Sequence, residues 1–161
     1  MDKIKIGDQI WMLKNLDTEV FRNGEEIPQA TNEQEWADAN NNAQPAWCYY
    51  DFSPDNGYKY GKLYNWFSVN DCRGLTPKGW RVPTNTDWAK LILNLGDIFN
   101  TGIQLKCDTG WEKEGFENFR KTAGTNSSGF TALPGGSQLD PGYFDFVGYN
   151  GTWWSATEDG E

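Results

Sequence analysis

GKLYNWFSVNDCRGLTPKGWRVPTNTDWAKLILNL, residues 61–95, contains the clearest structural pattern of the chain. Its second half predicts a helix that begins after Thr84, a good N-cap, with Asp87 at the third helical position, where its carboxylate can reach back to the cap. The apolar residues that follow have the i, i+3, i+4, i+7 spacing of one helix face: Trp88, Leu91, Ile92 and Leu95. Gly96 is a natural residue for the left-handed position that ends a helix.

A second helix is predicted to begin at Thr31. Thr31 and Gln34 have the T-x-x-Q spacing of a capping box, and Trp36 supplies the apolar face. The helix should fade in the asparagines of residues 40–42, because asparagine competes for backbone hydrogen bonds and favours helix ends.

The remaining pattern is one of short strands separated by turns. The predicted strand segments are residues 4–12 (a hairpin around Gly7-Asp8), 46–51, 62–69 (strand or short helix), 130–133, and 143–149 with 152–156 (a hairpin around Asn150-Gly151). The predicted turns and loops are residues 23–24, 53–57, 70–79, 102–128 and 137–141.

Composition restricts the class of protein. A chain of 161 residues is predicted to form one domain, and its nine Trp, nine Phe and seven Tyr suit both a core and a binding surface. The 14 basic residues are scattered among 23 acidic ones, which gives a formal net charge of −9 and argues against binding to nucleic acid or to an anionic membrane. The sequence has no apolar run long enough to span a bilayer and no signal peptide.

The sequence predicts no catalytic residue, no metal site and no cofactor. It contains no histidine, which removes the commonest general base and zinc ligand. The odd number of cysteines, Cys48, Cys72 and Cys107, favours free thiols that are buried or partly buried over a disulfide framework, with one loop-closing pair as the alternative. Acidic pairs such as Glu112 with Glu114 and Glu158 with Asp159 are expected to be solvated surface groups. A faint resemblance of residues 51–57 to a calcium loop is better explained by a turn.

The tryptophans divide into two groups. Trp66, Trp80 and Trp88 lie in apolar patterns and are predicted to be core residues. Trp153 and Trp154 are adjacent on a predicted strand, so their rings should point in opposite directions, one into the core and one outward. The outward ring is the best single indication of a binding surface.

Several blocks, in the same order, resemble the Fibrobacter succinogenes major paralogous domain. They are residues 6–28, 45–71, 74–91, GFTALPGG (129–136) and YNGTWWSATE (149–158). The resemblance implies an α+β fold of the C-type-lectin-like class, with two helices packed on small twisted antiparallel sheets with long loops, in a single domain over residues 1–161. Proteins of this family continue past the WWSATE block to a final strand, so we expect this domain to lack its final strands and to have an unpaired sheet edge open to self-association.

The resemblance also implies a function. We expect a non-enzymatic recognition module of a secreted, bacterial surface or phage-encoded protein that binds a protein or glycan ligand on a cell surface. Related domains serve as the constant scaffold of receptors diversified by retroelements. The predicted ligand-binding residues lie on and beside loop 137–149 and in the segment from residue 155: Tyr143, Asp145, Tyr149, Trp153, Glu158 and Asp159.

Two other functions are considered. One is a carbohydrate-binding module of a polysaccharide-degrading system, with exposed aromatic rings stacked on sugars. The other follows from residues 80–91, WRVPTNTDWAKL, which are similar to the helix entry of formylglycine-generating enzymes. Those enzymes use an active-site cysteine pair, and no cysteine of this chain stands in a matching position, so this activity is not expected.

Overall fold

A computed structural model describes residues 2–96, 98–112, 124–139 and 143–158. This part of the chain has a mixed α+β architecture. Its helices are α1 (Glu33–Asn41), α2 (Pro54–Tyr60), α3 (Trp66–Val69), α4 (Asn85–Leu95) and α5 (Thr101–Leu105), with one 3-10 turn at Tyr50–Phe52. Its strands are β1 (Lys3–Ile6), β2 (Gln9–Met12), β3 (Trp47–Cys48), β4 (Leu63–Tyr64), β5 (Ser137–Leu139) and β6 (Tyr143–Asp145). They pair as three antiparallel two-stranded sheets, β1–β2, β3–β4 and β5–β6.

The predicted N-terminal hairpin is confirmed. Strands β1 and β2 are joined by Gly7-Asp8, with Ile6 opposite Gln9 and Ile4 opposite Trp11. Gly7 has a φ of +61°, as the first central residue of a type II′ turn requires. A Cβ at this position would lie 2.2 Å from Nδ2 of Asn94 in α4, so the turn lies directly against that helix.

Helix α4 also forms as predicted. Thr84 Oγ1 accepts a hydrogen bond from the main-chain N–H of Asp87, and the Asp87 carboxylate accepts one from the N–H of Thr84, which completes the capping box. Gly96 follows the helix in the left-handed conformation, with φ of +80°. Leu91 is fully buried at the centre of the apolar face.

The first predicted helix exists, but its cap is one residue later than predicted. Asn32, not Thr31, is the N-cap of α1, and its side chain accepts a hydrogen bond from the N–H of Glu35. The side chain that reaches back toward the start of the helix is that of Glu35, not that of Gln34. Its carboxylate accepts hydrogen bonds from the N–H and the hydroxyl of Thr31. Asn32 and Glu35 thus form the start of the helix, although Thr31 and Gln34 have the same spacing one residue earlier.

The middle of the chain is more helical than predicted. The strand predicted at residues 46–51 is limited to β3 and gives way to the 3-10 turn, and the turn predicted at residues 53–57 is the first part of α2. Pro54 explains the second error, because proline at the first helical position lacks only an N–H that would have no partner there. Residues 62–69 were predicted to form a strand or a short helix, and they form one of each, strand β4 followed by helix α3.

The C-terminal hairpin predicted around Asn150-Gly151 does not form. Residues 137–139, predicted as a loop, form β5 and pair instead with β6. The N–H groups of Tyr149 and Asn150 both donate to the carbonyl oxygen of Phe146, so the second half of the predicted strand is a turn. Gly151 then bridges to Gly136 in parallel orientation, a long-range pairing that no local pattern signals.

The buried side chains form three clusters. The first surrounds Phe21 and Trp47, the second joins the β1–β2 hairpin to Leu91 and Phe130, and the third surrounds Trp36. Residues 130–133, predicted as a strand, contribute Phe130 and Ala132 to the second cluster but form only one isolated bridge, from Ala132 to Lys106.

Candidate functional site

A large cleft lies between segments that are distant in sequence. We call it the tryptophan cleft, and its volume is about 1260 Å³. Its main walls are formed by residues 8–16, which include β2; 60–66, around β4; 79–83 with the first turns of α4; and 130–133 and 135–139 with Trp153 and Trp154. The hairpin, the start of α4 and the segment around residue 153 thus meet at one site.

Seven of the nine tryptophans of the chain line this cleft. They are Trp11, Trp36, Trp66, Trp80, Trp88, Trp153 and Trp154. Three of the indoles tie the walls together through their Nε1 donors. Trp88 donates to the carbonyl oxygen of Trp154 over 3.2 Å and Trp154 to that of Tyr64 over 2.8 Å. Trp153 donates to Asn15 Oδ1 over 3.0 Å.

Other buried polar atoms at the cleft have no partner. Trp11 is 9% exposed and packs against Trp88 and Phe130, but its Nε1 makes no hydrogen bond. Gln9 Oε1 and Gln138 Nε2 are likewise buried and unpaired, and both residues line the cleft. An unpaired buried donor or acceptor costs about 1–3 kcal/mol, so these three atoms lower the stability of the domain.

Charged side chains on the lining are mostly ion-paired. The guanidinium of Arg81 makes a two-pronged contact with the Asp87 carboxylate, and this contact, together with the hydrogen bonds of Thr84, holds the pKa of Asp87 well below its ordinary range. A hydrogen bond from Lys90, with an Nζ-to-Oδ2 distance of 2.6 Å, lowers the pKa of Asp8. Burial opposes the charge on Lys62, but the hydrogen bonds that its ammonium group donates to Asp17 and Glu19 leave its pKa raised overall.

The structure separates the predicted ligand-binding residues. Tyr143 is 69% exposed on β6, and Glu158 is exposed and accepts a 2.8 Å hydrogen bond from Asn70. Asp145 accepts from the N–H of Phe146, and Tyr149 is partly buried. Among these described residues only Trp153 lines the tryptophan cleft, and Asp159 lies outside the described residues.

The adjacent tryptophans do diverge, with Trp154 as the more exposed of the two. Trp153 is partly buried and packs edge-on against Phe130, with ring centroids 6.2 Å apart. Trp154 is 45% exposed and lies beside Trp66, with ring centroids 5.8 Å apart. Of the two rings, Trp154 is therefore the outward one, whereas Trp153, the one named among the predicted ligand-binding residues, packs against the core. Trp66 and Trp88 pack against the core as predicted, although both are only partly buried. Trp80, also predicted as a core residue, is partly buried and belongs to none of the three clusters.

None of the three cysteines, all of which lie in the described part of the chain, forms a disulfide. Cys48, Cys72 and Cys107 are all free thiols; Cys48 and Cys107 are buried and Cys72 is exposed. Burial raises the pKa of the Cys48 thiol far above its ordinary value. Within residues 2–96, 98–112, 124–139 and 143–158, no group of His, Cys, Asp or Glu side chains is arranged to hold a metal ion. Glu112 is exposed, whereas its predicted neighbour Glu114 is outside the described residues.

Sequence reasoning missed most of the cleft. The alternation in β2 places Gln9 and Trp11 on one face, and this pairing of a polar side chain with a tryptophan could have been found from the sequence. No local pattern could place Gln138 or Trp80 near them, because these residues belong to different segments of the chain.

Comparison with known proteins gives the family. Of the helices that the structure describes, none has the length and apolar character needed to cross a membrane. No curated protein and no solved structure matches the chain. The family model described as the Fibrobacter succinogenes major domain matches residues 4–161, nearly the whole sequence. The chain therefore belongs to the Fibrobacter succinogenes major domain family.

Proposed function

We propose that this domain is a non-enzymatic recognition module that binds its ligand in the tryptophan cleft. The observation that carries the proposal is the lining of seven tryptophans around a volume of about 1260 Å³. Indole rings offer large apolar contact area together with one hydrogen-bond donor, and they are the side chains most enriched at the energetic centres of binding interfaces.

The chemistry of the lining supports binding over catalysis. The sequence has no histidine. The Asp87 carboxylate is held ionised by Arg81, which suits a structural ion pair and not a group that must exchange a proton near neutral pH. The buried Cys48 has a raised pKa, which disfavours the reactive thiolate that a formylglycine-generating type of oxidation would need.

The wider setting belongs to the same proposal. We place the domain in the C-type-lectin-like class, on a secreted, bacterial surface or phage-encoded protein, and we regard a retroelement-diversified receptor as its most specific setting. Family membership and the α+β architecture support this placement. A rigid scaffold that carries variable loops is a common design for recognition proteins.

The test uses the indole N–H signals of the tryptophans as reporters. The folded domain is screened against an array of bacterial surface glycans and an array of peptides, and each binder is titrated while the nitrogen–proton NMR spectrum is recorded. We expect the Nε1–H signals of Trp11 and Trp154 to shift. The signals of Trp47 and Trp111 should stay fixed, since these indoles donate to Ile27 and Ala132 and do not line the cleft.

The proposal also predicts which variants lose binding. Trp154→Ala should weaken a cleft ligand, whereas Tyr58→Ala should not, because Tyr58 is 91% exposed and does not line the cleft. Binders that shift only the signals of Trp47 or Trp111, or the absence of a binder in both arrays, would contradict a recognition function of the cleft.

A second candidate function is carbohydrate binding. The half-exposed ring of Trp154 beside Trp66 offers an aromatic platform of the kind on which sugar rings stack. Saturable retention on an insoluble polysaccharide such as cellulose or xylan, lost in Trp154→Ala and kept in Tyr58→Ala, would favour this function. Equal retention of both variants would count against it.

A further inference from the structure

Residues 147–158 lie across the rest of the domain, and we call them the strap. All of these residues are described, and they contain no helix and no strand apart from one isolated bridge. Near the start of the strap, Gly148 N–H donates over 2.9 Å to the carbonyl oxygen of Pro134. Near its end, Ala156 N–H donates over 2.8 Å to that of Pro83. The strap is thus held in place by other segments of the chain.

Two tryptophans anchor the strap in the tryptophan cleft. Trp153 packs edge-on against Phe130 and donates from its indole N–H to Asn15, 138 residues earlier in the chain. Trp154 donates from its indole N–H to the carbonyl oxygen of Tyr64 over 2.8 Å. None of these contacts requires the strap and its partners to belong to the same chain. The surface under the strap is complementary to this segment, so the strap of a second copy would fit it equally well.

A strained residue joins the strap to strand β6. Phe146 has a φ of +63°, in the left-handed region that is unfavourable for a residue with a bulky side chain. The N–H groups of Tyr149 and Asn150 both donate to its carbonyl oxygen, so the chain folds back directly after this residue. Strand β6, immediately before it, is paired with β5. Backbone strain is therefore present at the point where the strap leaves the sheet.

Extension of the chain at Phe146 would relieve this strain. With Phe146 at a negative φ, the strap would point away from its own domain and would reach the equivalent surface of another copy. The exchange would keep the contacts of the two anchoring tryptophans and would break the local turn bonds of Tyr149 and Asn150. A short hinge under strain favours such an exchange of identical segments between copies.

We propose that two copies of this domain exchange their straps to form a dimer, with Phe146 as the hinge. Each tryptophan cleft then receives Trp153 and Trp154 from the partner copy, so that the partner completes the lining of the cleft. The proposal goes beyond the proposed function and does not depend on it, because the exchange requires no ligand. It also differs from self-association through an unpaired sheet edge, since the contacts it uses are those that the strap already makes within one copy.

An isotope-filtered NMR experiment identifies the exchanged dimer. Equal amounts of labelled and unlabelled domain are unfolded together in urea and refolded, and the dimer is isolated by size-exclusion chromatography. We expect nuclear Overhauser effects between copies that link Trp153 to Phe130 and Trp154 to Trp66, because these ring pairs would join two chains. The contact of Trp11 with Phe130 lies outside the strap, so it should stay within one copy and serves as the control.

Two substitutions at the hinge should act in opposite directions. Phe146→Gly removes the strain of the closed monomer, because glycine adopts a positive φ readily, and should raise the dissociation constant of the dimer about tenfold. Phe146→Pro should lower this constant about tenfold, because proline has a φ near −65° and cannot form the closed turn. Thr131→Gly is the matched control, since Thr131 has a φ of +62° but lies outside the hinge, and should leave the constant unchanged. Sedimentation velocity over a range of concentrations measures the four proteins.

Several results would overturn the proposal. A wild-type domain that remains monomeric after refolding at millimolar concentration rejects the exchange. A dimer whose filtered spectrum lacks both ring contacts is held by another surface, which also rejects it. If both contacts are present but Phe146→Gly and Thr131→Gly weaken the dimer equally, the exchange stands and Phe146 is not its hinge. The filtered spectrum and the Phe146→Gly variant decide the question even if Phe146→Pro does not fold.

Discussion

Asn15 accepts a hydrogen bond from Trp153, and its side chain links three walls of the tryptophan cleft. Its Oδ1 accepts the indole N–H of Trp153 across a separation of 138 residues, and its Nδ2 donates over 2.8 Å to the carbonyl oxygen of Tyr60. One amide side chain thus satisfies a donor from one wall and an acceptor from another.

Loss of this amide should destabilise the domain. Asn15→Ala leaves the Trp153 donor and the Tyr60 acceptor unpaired, and we expect the free energy of unfolding to fall by about 1–3 kcal/mol in urea denaturation. Lys14→Ala, at the exposed neighbouring position, should change it by less than about 0.5 kcal/mol. Equal stability of the two variants would show that water replaces the amide without loss.

Helix α4 offers a matched pair of leucines. Leu91 is 0% exposed and Leu93 is 78% exposed on the same helix. We expect Leu91→Ala to cost about 2–5 kcal/mol, from lost transfer energy and the cavity left behind. Leu93→Ala should cost less than about 0.5 kcal/mol, since it changes the solvated face. Comparable losses in the two variants would mean that the apolar face of α4 is not the one described.

The Arg81–Asp87 ion pair should make stability depend on acidity. The pKa of Asp87 is depressed in the folded state, chiefly by Arg81, so its ionisation stabilises the fold above the ordinary carboxyl pKa of about 3.9. This contribution is lost as the pH falls from that value through the lower, folded-state pKa. We therefore expect the difference in unfolding free energy between wild type and Asp87→Asn to narrow below about pH 4.

Urea denaturation at pH 6, 4, 3 and 2 measures this difference. Arg81→Gln serves as the companion variant, because it removes the cause of the depressed pKa and should show a weaker fall in stability with acid than the wild type. A difference between wild type and Asp87→Asn that is the same at pH 6 and pH 2 would rule out the linkage.

The three thiols should react unequally. Cys48 is 0% exposed with a raised pKa, Cys107 is 4% exposed, and Cys72 is exposed. An aromatic disulfide reagent such as DTNB should titrate one thiol rapidly in the folded domain and the other two only on unfolding. Cys72→Ser should abolish the rapid reaction. A rapid phase that survives in this variant would show that Cys48 or Cys107 is accessible.

Local signals were sufficient where they all pointed to the same element. Thr84, Asp87 and Gly96 fix both ends of α4, and its apolar spacing fixes the buried face. The β1–β2 hairpin likewise follows from Gly7 between two alternating runs. In both cases the residues that determine the element lie within the element or next to it.

Prediction failed where a distant partner decides the structure. Asn150-Gly151 is the strongest hairpin dipeptide in the chain, yet Gly151 bridges to Gly136, and the intervening residues turn at Phe146. The cleft was missed for the same reason, since it is assembled from many segments that are distant in the sequence. Tyr143 and Glu158 were predicted from their places on loop 137–149 and in the segment from residue 155, which the family resemblance implies as the binding face. The aromatic lining of the cleft is partly buried, and its sequence pattern is that of an ordinary core.

The way the hairpin is covered has a consequence for biosynthesis. A ribosome that adds 5–20 residues per second needs about 7–28 s to make the 138 residues that separate Asn15 from its partner Trp153. During that time the indole of Trp11 lacks first Trp88 and then Phe130, and the apolar face of the hairpin is uncovered. Neighbouring nascent chains on one messenger would present the same open hairpins to each other. Dense polysome loading should therefore favour aggregation of this domain, and a chaperone that holds the first twenty residues should relieve it.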